Sequence, residues 1–218
     1  MKRLLVLTAL AAAVVAPSAQ ATNECRGLNV CVPVAGPWVV TTSATQSQYD
    51  LSCPPRFVVA GLDAELSTRG IDIGFVGAMG APVNPGITTQ RDAVFLGRVV
   101  RGSSAGATFR PHVGCVPAAG GGQRAPTAYD AFAPGRPVDR RVHEFAARGD
   151  HTVRARCPRR ERLSAATHAI GFFSSAPPTA AAIGAVHVEQ SMHGGVVKLR
   201  IRSSVDAVVQ LDLICVAS

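Results

Sequence analysis

Apolar and polar side chains alternate with a period of two along much of the chain. From Val197 to Arg202 the odd-numbered residues are apolar and the even-numbered residues are basic, and from Val209 to Cys215 the odd-numbered residues are again apolar. A period of two is typical of β-strands. No long segment has apolar residues at helical spacing, and Gly or Pro recurs every ten residues or so. The chain is therefore predicted to be all-β and antiparallel.

The same alternation predicts strands nearer the N-terminus. Between Val58 and Leu66 the even-numbered residues are apolar, which predicts that they share one buried face. Asp63 and Glu65 alternate with them, so we interpret this pair as the polar side of an amphipathic strand. Trp38 stands just after a Pro-Val pair that begins a predicted strand, and we interpret it as a core residue.

Two segments of the chain share landmarks at matching positions. Residues 33–54 align without a gap with residues 137–158, and both contain Pro-Val and Cys-Pro. Residues 98–117 align with residues 198–217, and both contain Ser-Ser and Cys-Val. The offsets of 104 and 100 residues predict one small insertion or deletion between the two alignments. We therefore predict a tandem duplication.

This pattern predicts two tandem, disulfide-closed, antiparallel β-sandwich-like repeats after a signal peptide. Two separate domains and one pseudo-symmetric domain are both compatible with it. The predicted parts are a signal peptide (1–21), an N-terminal Cys clip (22–32), β-repeat 1 (33–118), a linker rich in Gly and Pro (119–136) and β-repeat 2 (137–218).

The N-terminal residues have the pattern of a secretory signal peptide. Met1-Lys2-Arg3 precede an apolar stretch from Leu4 to Ala16, and Ala19-Gln20-Ala21 forms an A-x-A cleavage site. The apolar stretch is shorter than the roughly 20 residues that a spanning helix needs, and we predict no transmembrane segment. We expect a secreted or periplasmic protein, cleaved after Ala21.

All six cysteines lie beyond the predicted cleavage site, and an even number in an exported chain is typical of a disulfide framework. The opening and closing cysteines of each repeat share parity with the apolar residues of their predicted strands. A zinc site is not expected, because only one pair of cysteines is closely spaced, and no other metal or cofactor is predicted. The predicted disulfides are Cys25–Cys31, Cys53–Cys115 and Cys157–Cys215.

The basic charge is concentrated in the second repeat. The formal net charge of the chain is +8, and residues 137–218 contain 11 basic and 7 acidic residues against 6 and 5 in residues 33–118. Arginine forks suit phosphate and carboxylate groups. We predict a basic patch that binds an anionic glycan, a lipid headgroup or a protein surface; a merely solvated strand face is the alternative. The patch consists of Arg154, Arg156, Arg159, Arg160, Lys198, Arg200 and Arg202. Nucleic acid is a less expected partner, because aromatic residues are few.

One enzyme motif is present, but its context does not support catalysis. Residues 102–106 fit G-x-S-x-G, which requires a turn from a strand into a helix, whereas both flanks are strand-like here. The corresponding segment 202–206 keeps the serines and lacks both glycines, as a hairpin turn would, so no catalytic residue is predicted. His187 and Glu189 share one face of a predicted strand, where an acid/base or metal site would begin, and a solvated face is favoured.

Residues 53–64, CPPRFVVAGLDA, resemble the start of small exported bacterial domains. Those domains carry Cys-Pro, paired valines and then glycines, and close with a strand ending in Cys-Val or Cys-Ala. Leu62 and Asp63 stand where those domains have further glycines. The second repeat keeps the Cys-Pro pair and the closing Cys-Val pair. The resemblance is to domains of undefined function, so it implies no site residues.

Together these patterns favour a non-enzymatic binding or structural protein of the cell envelope or the extracellular space. A secreted hydrolase with a site between the repeats is the first alternative, and a protein inhibitor or toxin that acts through a loop of repeat 1 is the second. The leading classes predict different geometry. An enzyme gathers titratable groups in one cleft, whereas a binding protein of this kind presents a charged patch.

Overall fold

The computed structural model describes residues 22–42, 46–77, 91–100, 106–118 and 138–217, and these residues form an all-β protein, as predicted. The predicted signal peptide and the predicted linker lie outside the described residues. No helix in the described part of the chain is long and apolar enough to cross a membrane. The elements are β1 (Val32–Ala35), β2 (Trp38–Val40), β3 (Ser47–Ser52), β4 (Phe57–Leu66), β5 (Ile71–Gly77), β6 (Asp92–Val99), β7 (Thr108–Pro117), β8 (Val138–Ala146), β9 (Gly149–Arg156), β10 (Glu161–Phe172), α1 (Ala180–Gly184), β11 (Val186–His193), β12 (Val196–Ser203) and β13 (Val208–Ala217).

The strands form three antiparallel sheets. We call residues 22–118 the first half and residues 138–217 the second half. Each half has a three-stranded sheet, in the order β3-β6-β5 in the first half and β11-β12-β9 in the second. The large sheet has seven strands, in the order β1-β7-β2-β10-β13-β8, with β4 also paired to β7. Strands of both halves therefore belong to one sheet.

The short strand β2 connects the two halves. Val39 pairs with Phe109 of β7 on one side and with Gly171 of β10 on the other. Trp38 pairs with Phe172 and is buried, as predicted. Hydrogen bonding of the large sheet is therefore continuous from the first half to the second.

The β4–β7 ladder of the first half and the β10–β13 ladder of the second half share one irregularity. The ladder between β4 and β7 shifts register between Val59 and Gly61. The ladder between β10 and β13 shifts register between Leu163 and Ala165, which lie 104 residues further along the chain. A shared irregularity is what a duplication would leave behind, and the duplication itself stays a prediction.

The register shift in β4 overturns the predicted buried face of that strand. An extra residue in one strand reverses which side chains face the core. Phe57 and Val59 contact the first core before the shift, and Leu62 and Leu66 contact it afterwards. The prediction that all the even-numbered residues from Val58 onwards share the buried face was therefore wrong.

The halves also differ in length at more than one place, so the prediction of a single small insertion or deletion was wrong. Phe75 of β5 and Gln190 of β11 hold equivalent pairing positions but are 115 residues apart. The connection from β10 to β11 includes α1, whose N-cap Thr179 accepts a hydrogen bond from the backbone N–H of Ala182 at 3.2 Å. The connection from β11 to β12 is a tight hairpin at Gly194 and Gly195, with φ of 58° and 75°.

The segment around the G-x-S-x-G motif is not a hairpin. Strand β6 belongs to the three-stranded sheet and β7 belongs to the large sheet, so the two strands flank the motif without pairing with each other. Strands β12 and β13 are arranged in the same way in the second half. Residues 101–105 lie outside the described residues, and Gly106 has a φ of 88°. The flanking strands were predicted correctly, and the hairpin was wrong.

Each half has its own apolar core between its three-stranded sheet and the large sheet. Phe95 and Phe109 are fully buried in the first core, and Leu199 and Leu211 are fully buried in the second. Ala169 of β10 contributes to the first core, which is a further link between the halves. The disulfides are the predicted pairs: Cys25–Cys31, Cys53–Cys115 and Cys157–Cys215.

The predicted Cys clip covers the outer face of β4 and β7 with residues 22–31, which we call the clip, while Val32 already belongs to β1. The carbonyl oxygen of Glu24 occupies the space that a Cβ atom on Gly61 or Gly114 would need. Two glycines on neighbouring strands thus make room for the backbone of the clip. The disulfide between Cys25 and Cys31 closes the clip on itself.

The clip also engages the acidic pair of β4. The backbone N–H of Asn23 donates to the Asp63 carboxylate at 2.6 Å. His112 is buried between two carboxylates, with Nδ1 3.8 Å from Glu24 and Nε2 3.3 Å from Glu65. Burial lowers the pKa of His112, although both glutamates oppose that effect. Asp63 and Glu65 lie on the polar side of the strand, as interpreted from the sequence, and there they contact the clip and a buried histidine.

Candidate binding sites

Five of the predicted basic residues share one solvent-facing side of the second half's three-stranded sheet, which we call the basic face. Strands β9 and β12 pair in register, so alternate residues of both strands point the same way. The intervening residues of β12 are fully buried in the second core. The basic face consists of Arg154, Arg156, Lys198, Arg200 and Arg202.

Acidic neighbours neutralise only part of the basic face. Arg202 Nε lies 3.6 Å from Asp150 Oδ2, and both side chains are more than half exposed. Arg154 lies directly opposite Lys198 in the sheet, and neither forms an ion pair with an acidic residue in the described part of the chain. Like charges directly opposite each other destabilise a sheet. A bound anion between Arg154 and Lys198 would relieve this repulsion.

A groove beside the basic face extends the cationic surface. Its volume is about 600 Å³, and Arg156, which belongs to the basic face, forms part of its wall. Arg141 and His143 of β8 and Arg159 line much of the rest. One acidic group is near, since Arg141 Nη2 lies 4.0 Å from Glu161 Oε1. We call this cavity the basic groove.

The remaining predicted patch residues lie in the turn between β9 and β10. Arg159 and Arg160 are both exposed there. Arg159 lines the basic groove, and Arg160 has a φ of 77°, as Arg56 has a φ of 70° at the corresponding turn of the first half. All seven predicted residues therefore lie on the second half, on a strand face or in the turn that follows it.

His187 and Glu189 lie on the same side of the sheet as the basic face. They are exposed on β11 and pair with Arg202 and Arg200 of β12. Neither residue is among the described residues that line the 550 Å³ cavity between the halves. Among the residues that the structure describes, no three His, Cys, Asp or Glu side chains are grouped so that they could hold a metal ion.

A second cavity lies between the two halves, and we call it the inter-half cleft. It has a volume of about 550 Å³ and lies between β3 of the first half and β8 and β13 of the second. The side chains of Tyr49 and Leu51 reach the first core, whereas Asp50 and Ser52 alternate with them on the other side of β3. The titratable residues that line the cleft are Tyr49, Asp50, Asp92, Arg140 and Glu144.

Gln210 binds the free edge of β3 through its side-chain amide. The backbone N–H of Asp50 donates to Gln210 Oε1 at 2.6 Å, and Gln210 Nε2 donates to the backbone carbonyl of Asp50 at 2.9 Å. Gln210 is buried on β13. The amide thus takes the place of a neighbouring strand and satisfies backbone groups that an edge strand leaves unpaired.

A buried ion pair and a tyrosine complete the contacts between the halves. Arg140 donates to Asp212, and their side chains are only 9% and 6% exposed. Arg140 Nη1 also donates to Gln48 Oε1 at 3.3 Å, while its Nε–H meets no acceptor among the described residues. The Tyr49 hydroxyl donates to Glu144 Oε2 at 2.8 Å. The bonds of Arg140 to Gln48 and of Tyr49 to Glu144 join β3 to β8, and the ion pair joins β8 to β13.

The carboxyl groups of the cleft are electrostatically coupled. Burial raises the pKa of Asp50 to about 7, with further contributions from the negative charges of Asp92 and Asp212 and an opposing one from Arg140. Burial also raises the pKa of Asp212, although Arg140 opposes the effect. Ser52 donates its hydroxyl to Asp92. Near neutral pH the Asp50 carboxyl therefore exists in both protonation states and can donate as well as accept a hydrogen bond.

A site between the repeats was an alternative from the sequence, but none of the residues that line the inter-half cleft was predicted as a site residue. One signal was available, because Asp50 and Ser52 stand where the second repeat has Arg154 and Arg156, at the same offset of 104. Such a change of charge between repeats indicates that the two strand faces meet different surroundings. The local sequence pattern does not show which residue covers Asp50, since its partner Gln210 is 160 residues away.

Comparison of the chain with family models, with curated proteins and with solved structures found no match. The resemblance of residues 53–64 to small exported bacterial domains therefore stays an expectation.

Proposed function

We propose that this is an exported, non-enzymatic binding protein whose second half holds an anionic polymer at the cell envelope or outside the cell. The observation that carries the proposal is the basic face, which continues through Arg156 into the basic groove. Three disulfides are typical of proteins outside the reducing cytoplasm. Cleavage after Ala21 belongs to the same proposal.

The spacing of the basic face suits a polymer with repeated negative groups. Alternate residues of a strand are about 7 Å apart, and neighbouring strands are about 5 Å apart. The basic face is therefore a two-dimensional array of cations rather than a single pocket. Its Arg residues can each bind an oxyanion with two parallel hydrogen bonds.

Both of the geometries expected from the sequence occur in this protein. The basic face is the charged patch of a binding protein, and the inter-half cleft gathers titratable groups. Two carboxylates of the cleft already accept hydrogen bonds within the protein, Glu144 from Tyr49 and Asp92 from Ser52. We favour binding over hydrolysis because the larger set of uncompensated charges is on the open sheet face.

Charge reversal tests the proposal. The variant carries Arg154→Glu, Arg156→Glu, Arg200→Glu and Arg202→Glu, and its affinity for dextran sulfate is measured by isothermal titration calorimetry over a range of salt concentrations. We expect the wild-type protein to bind more weakly as salt increases, because mobile ions screen exposed charges. The variant should lose at least about tenfold in affinity. Uncharged dextran should not bind to the basic face.

A matched control variant separates the basic face from net charge. It carries Arg26→Glu, Arg56→Glu, Arg69→Glu and Arg98→Glu, which are four exposed arginines of the first half. Both variants change the net charge by the same amount. Equal weakening by the two variants, or no weakening by the first, would show that the basic face is not the binding surface.

A further inference from the structure

The mouth of the inter-half cleft is apolar. Phe173 is 64% exposed and Val142 is 38% exposed, and both side chains line the cleft. Exposed aromatic rings beside polar groups are typical of ligand sites, because they offer a large rigid contact surface. Phe173 is a candidate platform for a flat apolar surface of a ligand.

The polar lining of the cleft offers a ligand both hydrogen-bond donors and acceptors. Arg140 is the cationic side chain among the described residues that line the cleft, so the lining includes N–H donors. The carboxyl of Asp50 has no hydrogen-bond partner in the described residues, and Glu144 accepts from Tyr49 alone. A simple alkylammonium has no acceptor for Arg140, and an anion without O–H or N–H groups, such as a sulfate ester, has no donor for the carboxylates. Hydroxyl groups supply both a donor and an acceptor.

We propose that the inter-half cleft binds a neutral sugar, with the C–H face of a pyranose ring against Phe173 and the ring hydroxyls hydrogen-bonded to Asp50, Glu144 and Arg140. The cleft volume of about 550 Å³ is within the usual range for small-molecule sites, roughly 300–1,000 Å³. This site is separate from the basic face and takes a ligand of different charge. The two halves form it together, so neither half alone has it.

The experiment uses the full mature chain and three neutral disaccharides, cellobiose, maltose and N,N′-diacetylchitobiose, at millimolar concentration. Binding is measured by calorimetry and by amide chemical-shift changes. We expect at least one disaccharide to shift the signals of cleft residues. Phe173→Ala should weaken that binding about three- to tenfold, the effect of losing one aromatic contact. Asp50→Asn, which keeps a donor and an acceptor, should change affinity less than Asp50→Ala.

Two controls make the result decisive. Met192→Ala removes an equally prominent apolar side chain, 55% exposed, that does not line the cleft, and it should leave sugar binding unchanged. The charge-reversed basic-face variant should also keep it, which distinguishes failure of this site from failure of the proposed function. Absence of binding by all three disaccharides, tight binding of benzylamine in their place, or an unaffected Phe173→Ala variant would each overturn the proposal.

Discussion

The outer faces of the two closing strands, β7 and β13, are buried by different parts of the molecule. In the first half, the N-terminal clip covers β7 and encloses His112 between two glutamates. In the second half, the edge of β3 covers β13, and Asp212 is buried there against Arg140. His112 and Asp212 lie 100 residues apart at corresponding positions. One framework thus buries a titratable group in each half, a histidine beside two glutamates in the first and an aspartate beside an arginine in the second.

Strands β3 and β9, which hold corresponding positions in the two three-stranded sheets, also differ in the surroundings of their outward faces. The outward residues of β3 are Gln48, Asp50 and Ser52, and they contact or approach the second half. The outward residues of β9 include Arg154 and Arg156, which face solvent. The inward, core-forming pattern is shared, while the outward positions differ in charge and in surroundings. New binding surfaces can therefore arise on such a framework without altering either core.

The largest expected effect comes from the two long disulfides, whose loops span 62 and 58 residues. Replacing Cys53 and Cys115 by Ala, or Cys157 and Cys215 by Ala, should lower the free energy of unfolding by about 4 kcal/mol in each case. Urea unfolding measures this loss. Because the large sheet is continuous across the halves, we expect a single transition for both variants.

The short disulfide supplies the control for that measurement. Cys25 and Cys31 are separated by only 6 residues, so the double Ala variant should lose about 2 kcal/mol. Two separate unfolding transitions in either long-disulfide variant would contradict the comparison, since they would show that the halves unfold independently.

The second effect is a pH dependence of the free energy of unfolding that arises at the contact between the halves. The pKa of Asp50 is raised to about 7, so the folded protein holds this proton while the unfolded chain has released it. Protonation of Asp50 therefore contributes to the stability of the folded state at pH 4, and this contribution is lost as the pH rises through about 7. Asp50→Asn should therefore raise the free energy of unfolding at pH 8, by at most about 4 kcal/mol, and leave it nearly unchanged at pH 4.

The measurement is the difference in unfolding free energy between wild type and variant at several pH values. Taking this difference cancels the contribution of His112. Because the pKa of His112 is lowered, that contribution decreases the free energy of unfolding as the pH falls below 6.5. Asp72→Asn is the control, because Asp72 is 60% exposed and pairs with Arg98 at the surface. If the free energy of unfolding of Asp50→Asn and of wild type changed identically with pH, the raised pKa would not belong to Asp50.

The third effect tests how the first half makes room for its clip. Gly114→Ala places a Cβ against the carbonyl of Glu24, and we expect a loss of about 1–3 kcal/mol from overpacking. Gly74→Ala is the matched control, because the nearest atom to its added Cβ is 3.9 Å away in an ordinary contact. The second half has Ile214 at the position of Gly114. Equal stability of Gly114→Ala and wild type would mean that the clip does not depend on this space.

The sequence pattern predicted those features that depend on side-chain direction within a single strand. The period-two alternation identified strands on both sides of each core, and cysteine parity gave the disulfides, because side-chain direction in a strand is fixed by position. The irregularity after Val59 reversed the face of β4, and alternation alone does not reveal such an extra residue. The predicted basic residues of β9 and β12 lie on one side of the sheet for the same reason, because their positions in the strands share parity. The residues of the inter-half cleft were not predicted because they come together through contacts such as that of Tyr49 with Glu144, 95 residues away.

Strand β9 ends its sheet, with no strand on its outer edge in the described part of the chain. An unpaired edge is a template on which a second molecule can add a strand. Two such edges would bring Arg154 and Arg156 of both molecules together, and their repulsion opposes self-association. Because salt screens exposed charges, concentrated solutions of this protein are expected to remain monodisperse longer in dilute buffer than in high salt.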